Sequence, residues 1–225
     1  MQRHFDSELV ELKTEILKMG AMVEEAIFKS VEALKHLSAE EARCVIAFDK
    51  SIDELELKIE EKGLNLLALQ QPMAIDLRFI VMAMKITNEL ERMADLAVDI
   101  AQRVLELVDK PLLKPLVDIP KLATIAQKMT KDVISAFINK DANLARDIIL
   151  MDSQADNLRN LVQEELVNDY MAKDPITVNR AVPLLLVARH LERICDHATN
   201  IAEDIIYMCS AEVVKHHPEK LMENR

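Results

Sequence analysis

The stretch Leu90-Glu91-Arg92-Met93-Ala94-Asp95-Leu96-Ala97-Val98-Asp99-Ile100-Ala101 recurs as Leu191-Glu192-Arg193-Ile194-Cys195-Asp196-His197-Ala198-Thr199-Asn200-Ile201-Ala202, at an offset of 101 residues. Apolar residues in both copies fall three and four apart, the period of an amphipathic helix. Upstream, Ala42-Arg43 followed by Asp49-Lys50-Ser51-Ile52-Asp53 recurs as Ala145-Arg146 followed by Asp152-Ser153-Gln154-Ala155-Asp156, at an offset of 103. Pro72 recurs as Pro175 at that same offset, so the register slips by two between the prolines and the glutamates. Self-similarity at a fixed period marks a duplicated structural unit. The expected fold is all-α: six long helices in two tandem three-helix bundles, related by a pseudo-twofold.

The helices can be placed around that repeat. Leu9, Leu12, Ile16, Met19, Val23, Ile27, Val31 and Leu34 form the stripe of a first long helix. Ser38-Ala39-Glu40-Glu41 has the capping-box form in which Ser accepts from the backbone and Glu reaches back, so a second helix starts there and runs to about Leu69. Pro72 stops it, and a third runs from about Ile75 to Val108. Pro111, Pro115 and Pro120 mark a linker. Helix four is expected from about Lys121 to Asn139 and helix five from Asp141 to Met171. Helix six starts at Asp174-Pro175, with Pro183 kinking it or marking its true start. The first bundle is thus residues 1–109, the linker 110–119, the second bundle 120–213, and 214–225 a polar tail that frays.

Composition narrows the function. The chain has 225 residues, 2 glycines and 7 prolines, too few turn formers for an all-β fold. Its net charge of −11 repels phosphate backbones and anionic lipid, which argues against nucleic acid as a partner and leaves membrane association indirect. The N-terminus turns acidic before any apolar stretch of signal-peptide length, and no run approaches a membrane span. Three unpatterned cysteines, Cys44, Cys195 and Cys209, fit a reduced cytoplasmic setting. There is no Gly-rich phosphate loop, no GxSxG and no kinase motif set, so the chain reads as a non-enzyme.

What repeats most faithfully is acidic: Asp49 and Asp53, Asp152 and Asp156, Glu91, Asp95 and Asp99, Glu192 and Asp196 with Asn200. Carboxylates four apart share a helix face and repel by a few tenths of a kcal/mol. One such pair is ordinarily a solvated face. Its recurrence, beside the small residues Ala94 and Ala97, points to carboxylates gathered between helices to hold a hard cation such as Fe, Mn, Mg or Ca. Zinc usually takes His or Cys, which are sparse, although Zn stays possible. No His has a Glu three residues before it, so the ferritin-like di-iron pattern is missing. Cys195, opposite Ala94, and His190 and His197 read as packing or surface residues. Arg92 and Arg193 read as intrahelical ion-pair partners or as contacts for an acidic or phosphate group on a partner.

The paired E-R-[IM]-x-D-x-A-x-[ND]-I-A segments, the D-x-x-x-D pairs, Gln71-Pro72 with Asp76-Leu77-Arg78, and Val187-Ala188-Arg189-His190-Leu191-Glu192-Arg193 together resemble the PhoU proteins, regulators accessory to phosphate transport. The resemblance covers nearly the whole chain. It implies a cytoplasmic, often homodimeric regulator that shuts down the phosphate-starvation response when phosphate is plentiful. It further implies partners: the ATPase subunit of the phosphate ABC transporter and a membrane sensor histidine kinase. In that family E/D-x-x-x-D motifs hold iron or other metal ions, and they map here onto Glu91/Asp95, Glu192/Asp196, Asp49/Asp53 and Asp152/Asp156. Two departures stand out: Ala94 and Cys195 where many members have Gly, and Asp99 where Asn is common. A metal store or redox-metal protein using the same carboxylates is the rival reading.

Overall fold

The computed structural model describes residues 2–210, with side chains described from residue 4 onward. The polar tail expected at 214–225 lies outside the described residues. Six long helices run in order: α1 (Gln2–His36), α2 (Ala39–Gln70), α3 (Ala74–Leu107), α4 (Asp118–Asn139), α5 (Ala142–Glu165) and α6 (Val178–Ser210). Among the described residues there is no strand.

Each helix buries the stripe its sequence carries. On α1, Leu12, Ile16, Met19, Val23, Ile27 and Leu34 are fully buried, each contributing about 1.5–3 kcal/mol against the exposed chain. The starts and stops follow local chemistry. Ser38 caps α2 by accepting from the Glu41 N–H at 3.2 Å. The reciprocal half of the box is absent: Ser38 N–H donates to the Ala33 carbonyl at 3.0 Å, and the Glu41 carboxylate turns to His36 at 3.1 Å. Asp141 caps α5 by accepting from the N–H groups of Asn143 and Leu144, both at 3.0 Å. Leu37, Gln71 and Lys140 end their helices in the left-handed region without glycine, at about 1–2 kcal/mol of steric cost; after Leu37 and Lys140 the turn satisfies late carbonyls, Ser38 N–H donating to Ala33 and Asp141 N–H to Ala136.

Two details depart from the sequence expectation. Helix five does not run regularly to Met171: α5 ends at Glu165, and Leu166–Met171 widens into a π turn. Asp174 caps only a short 3-10 turn, Pro175–Thr177, and α6 begins at Val178 with Pro183 inside it. Proline at 183 cannot donate to the carbonyl four residues back. That carbonyl, on Asn179, instead accepts from Lys110 Nζ at 3.1 Å, so the linker closes the gap the proline leaves. Lys114, buried in the same linker, is ion-paired with Glu165 beside the π turn.

Helices α1, α2 and α3 pack on one another, as α4 does on α5 and on α6, and α5 on α6. Between the bundles α1 meets α4 and α3 meets α6, so each joining helix contacts its own duplicate, the signature of twofold pairing. Gly20 on α1 lets Ile134 of α4 approach: a β-carbon there would meet Ile134 Cγ1 at 2.8 Å. Phe79 of α3 stacks on Phe137 of α4, ring centroids 4.8 Å apart. Helices α2 and α5 are left on the outside, each presenting its acidic pair toward α3 or α6.

Candidate metal centre

The first cluster lies between α2 and α3. Asp49 is half-buried, and its carboxyl is pushed up to about 6 by burial first and then by the charges of Asp53 and Asp95. Glu91 is raised further, to about 7, by burial and by Asp95, Glu56, Asp53 and Asp49. Asp95 is also raised, by burial, Asp53 and Asp99, against a hydrogen bond with Glu91 that lowers it. The expected ligands Asp49, Asp53, Glu91, Asp95 and Asp99 therefore stand in one another's fields. Glu56 belongs with them: burial and Glu60 raise it, a hydrogen bond with Asn88 lowers it, and Asp53 and Asp95 raise it again. The sequence reading passed over Glu56 because its duplicate position holds Arg159. Its spacing of three from Asp53 on the same helix face was the available signal.

The second cluster lies between α5 and α6. Asp152 is pushed up to about 6 by burial, Asp196, Asp156 and Glu192, and its Oδ1 is buried with no hydrogen-bond partner. Asp196 is raised by burial, Glu192 and Asp156, against the lowering charges of His197 and Arg193. Glu192 takes an ion pair from Arg159 at 3.2 Å. Cys195 is fully buried beneath this cluster, and burial followed by the four surrounding carboxylates drives its thiol far up, so it stays protonated and packs.

Asn200 is not in that cluster. It reaches across the bundle interface to Glu89 at 3.3 Å, beside His197, whose Nδ1 lies 2.7 Å from the same carboxylate. Burial pushes the Glu89 carboxyl up, and His197, Asn200 and Arg92 more than offset this, leaving it below the ordinary value. The pseudo-equivalent contact places Asp99 3.7 Å from His190. Arg92 pairs within its helix with Glu89 at 3.4 Å; Arg193 is exposed.

Carboxylates whose proton affinity is raised by burial and then by one another's charge are the arrangement a cation relieves, and an all-oxygen donor set suits hard ions. The unpartnered Asp152 oxygen fits the same donor role. Among the described residues no three His, Cys, Asp or Glu are already drawn close enough to hold an ion. The helices that carry these carboxylates pack directly on each other, α2 on α3 and α5 on α6.

Comparison with known proteins matches this architecture twice over. A family model described as "PhoU domain" fits residues 16–104 and again 119–205. The chain belongs to the PhoU family. A phosphate-specific transport system accessory protein PhoU homolog of Aquifex aeolicus (strain VF5) is 44% identical over 209 residues, covering 93% of this chain and 94% of that one. A PhoU homolog of the same description in Caulobacter vibrioides (strain NA1000 / CB15N) is 36% identical over 220 residues, 97% of this chain and 95% of the relative. The crystal structure of PhoU from Pseudomonas aeruginosa superposes with a TM-score of 0.88 at 33% identity, covering 92% of this chain and 100% of that one. Both PhoU repeats contain one acidic cluster, on the second and third helices of each. No helix among the described residues is long and apolar enough to cross a membrane.

Proposed function

We propose that this chain is a non-enzymatic, cytoplasmic accessory regulator of phosphate uptake, which binds cations through its two acidic clusters. The observation that carries the reading is the match of the PhoU domain to both halves of the chain, with curated relatives named as accessory proteins of phosphate-specific transport. In this reading the chain docks on the ATPase subunit of the phosphate ABC transporter and on a sensor histidine kinase, and lowers kinase output when phosphate is plentiful. Its long helix surfaces offer the broad contact area such docking uses, and homodimerisation would double it.

The residues that would hold ions are Asp49, Asp53, Glu56, Glu91 and Asp95 on one side, with Asp99 at the edge of that group, 3.7 Å from His190, and Asp152, Asp156, Glu192 and Asp196 on the other. Support comes from the raised proton affinity of Glu91, Asp49 and Asp152, which burial raises first and the neighbouring carboxylates raise further. A bound ion would neutralise that repulsion and tie α2 to α3 and α5 to α6. Iron, or another oxygen-preferring ion such as Mn or Mg, suits this donor set. The functional test is a phosphate-starvation reporter in cells lacking the chromosomal copy. Expression of this chain should restore repression in high phosphate, and affinity capture from the same cells should bring down the transporter ATPase and the kinase. Continued derepression with the chain expressed and folded would contradict the reading.

A further inference from the structure

The two clusters are duplicates in place but not in chemistry. On α5, Arg159 and Gln163 stand where α2 has Glu56 and Glu60; on α6, Arg189 stands where α3 has Asn88, while Arg193 matches Arg92. The α2–α3 face therefore concentrates carboxylates, and the α5–α6 face sets three guanidinium groups beside its carboxylates. These groups share a concavity: Arg159, Arg189 and Arg193 line one groove of about 430 Å³, together with Gln163, Glu192 and Asp196. Arg159 Nη2 is 3.2 Å from Glu192 Oε1 and Arg159 Nη1 is 2.7 Å from Asn160 Oδ1, which fixes the orientation of its guanidinium plane. Arg189 and Arg193, one helical turn apart on α6, are exposed and free to swing toward a ligand.

Guanidinium forks match tetrahedral oxyanions, and several forks in one groove favour an anion with more oxygens and charge than a carboxylate has. Glu192 and Asp196 on the same wall oppose any anion until their own charge is neutralised. We propose that the α5–α6 groove binds a phosphate-class oxyanion, either inorganic phosphate or the phosphate tail of a nucleotide, more tightly when a cation occupies the neighbouring carboxylates. The α2–α3 face, lacking the counterparts of Arg159 and Arg189, takes cations alone. The cation assistance rests on the metal-binding reading above; the anion contact itself rests on the arginines.

The test is calorimetric titration of the full chain, stripped of metal, with inorganic phosphate and separately with ADP, each with and without Mg²⁺. Binding is expected from at least one of the two, strengthened by Mg²⁺, and the arm that binds names the source of the phosphate group. Arg189→Asn and Arg193→Gln should each weaken it by about tenfold, the loss of one charge-assisted hydrogen bond, while Arg92→Gln at the duplicate position leaves it unchanged. Both α6 arginines are exposed, and far-UV circular dichroism confirms that the variants fold. Absence of binding by either anion, equal binding by the Arg189→Asn, Arg193→Gln double variant, or equal weakening by Arg92→Gln overturns the proposal. Mn²⁺ titration of the metal-stripped wild type separates the two readings: intact, Asp196-dependent Mn²⁺ binding alongside absent anion binding by that same wild type rejects the anion site and leaves the cation reading standing.

Discussion

Replacing Glu91 by Gln should stabilise the metal-free protein at pH values above neutrality, although it removes a charged group from a helical surface. The Glu91 carboxyl is raised from 4.5 to about 7, by burial and then by Asp95, Glu56, Asp53 and Asp49. At about 1.4 kcal/mol per tenfold in proton affinity, ionising it inside the fold costs at most about 3.5 kcal/mol. Solvent reaches this half-buried position, and screening reduces the cost to about 1 kcal/mol. Because the folded chain holds this proton more tightly than the unfolded chain, the stability Glu91 contributes is fully present below about pH 4.5 and is lost as pH rises through about 7. Gln cannot ionise, and it keeps a donor for the hydrogen bond with Asp95. In chelator-treated protein near pH 8 the variant should therefore melt about 2–4 °C higher. Below about pH 4.5, where Glu91 is protonated in the folded and the unfolded chain alike, the two should coincide within about 0.5 kcal/mol. Saturating Mn²⁺ should reverse the order near pH 8, because the wild type gains a ligand the variant lacks. Urea denaturation followed by circular dichroism reads all three conditions. A variant less stable than wild type near pH 8 without metal would mean that Glu91 is favourably paired, and the picture of mutual repulsion would be wrong.

Three further outcomes follow from the same geometry. Cation affinity should fall as pH drops through about 7 to 6, where Glu91, Asp49 and Asp152 take up protons, and ion binding near neutrality should release protons measurable in a weakly buffered titration. His197→Ala should destabilise the protein by about 1–2 kcal/mol near neutral pH by taking from the half-buried Glu89 its shortest contact, Asn200 and Arg92 remaining; urea midpoints measure it, and the penalty should shrink on acidification below 4.5 as Glu89 protonates. Gly20→Ala should lower stability by about 1–3 kcal/mol through its clash with Ile134 in the α1–α4 contact. Gly63→Ala, which meets the unbranched Met84 side chain at 2.9 Å and Ile80 Cγ2 only at 3.8 Å, should cost less than Gly20→Ala, and thermal melts of the pair compare them directly.

The helices were legible in the sequence because each carries a long stripe with local stop signals. Ser38, Asp141 and Asp174 act as caps, and Pro72 falls in the turn that ends α2. The π turn at Leu166–Met171 was not legible, since hydrogen bonding that widens by one residue leaves the apolar spacing nearly unchanged. The cluster residues Asp49, Glu91, Asp152 and Asp196 were legible through duplication, and Glu56 was missed for the same reason: Arg159 breaks the match. Asn200 shows the opposite failure. Its position in the repeat placed it among the ligands, whereas a contact across the bundle interface with Glu89, visible only once α3 and α6 are packed, claims its side chain.

The two carboxylate clusters, one in each repeat, are expected to bind cations independently. Equilibrium dialysis of the chelator-stripped chain against Mn²⁺, with elemental analysis of the retentate, tests this most directly across wild type, Asp95→Asn, Asp196→Asn and the double variant. Each single substitution is expected to remove the share of bound Mn²⁺ belonging to its own repeat, and the double variant to retain almost none. A double variant that binds as much Mn²⁺ as the wild type would contradict the claim.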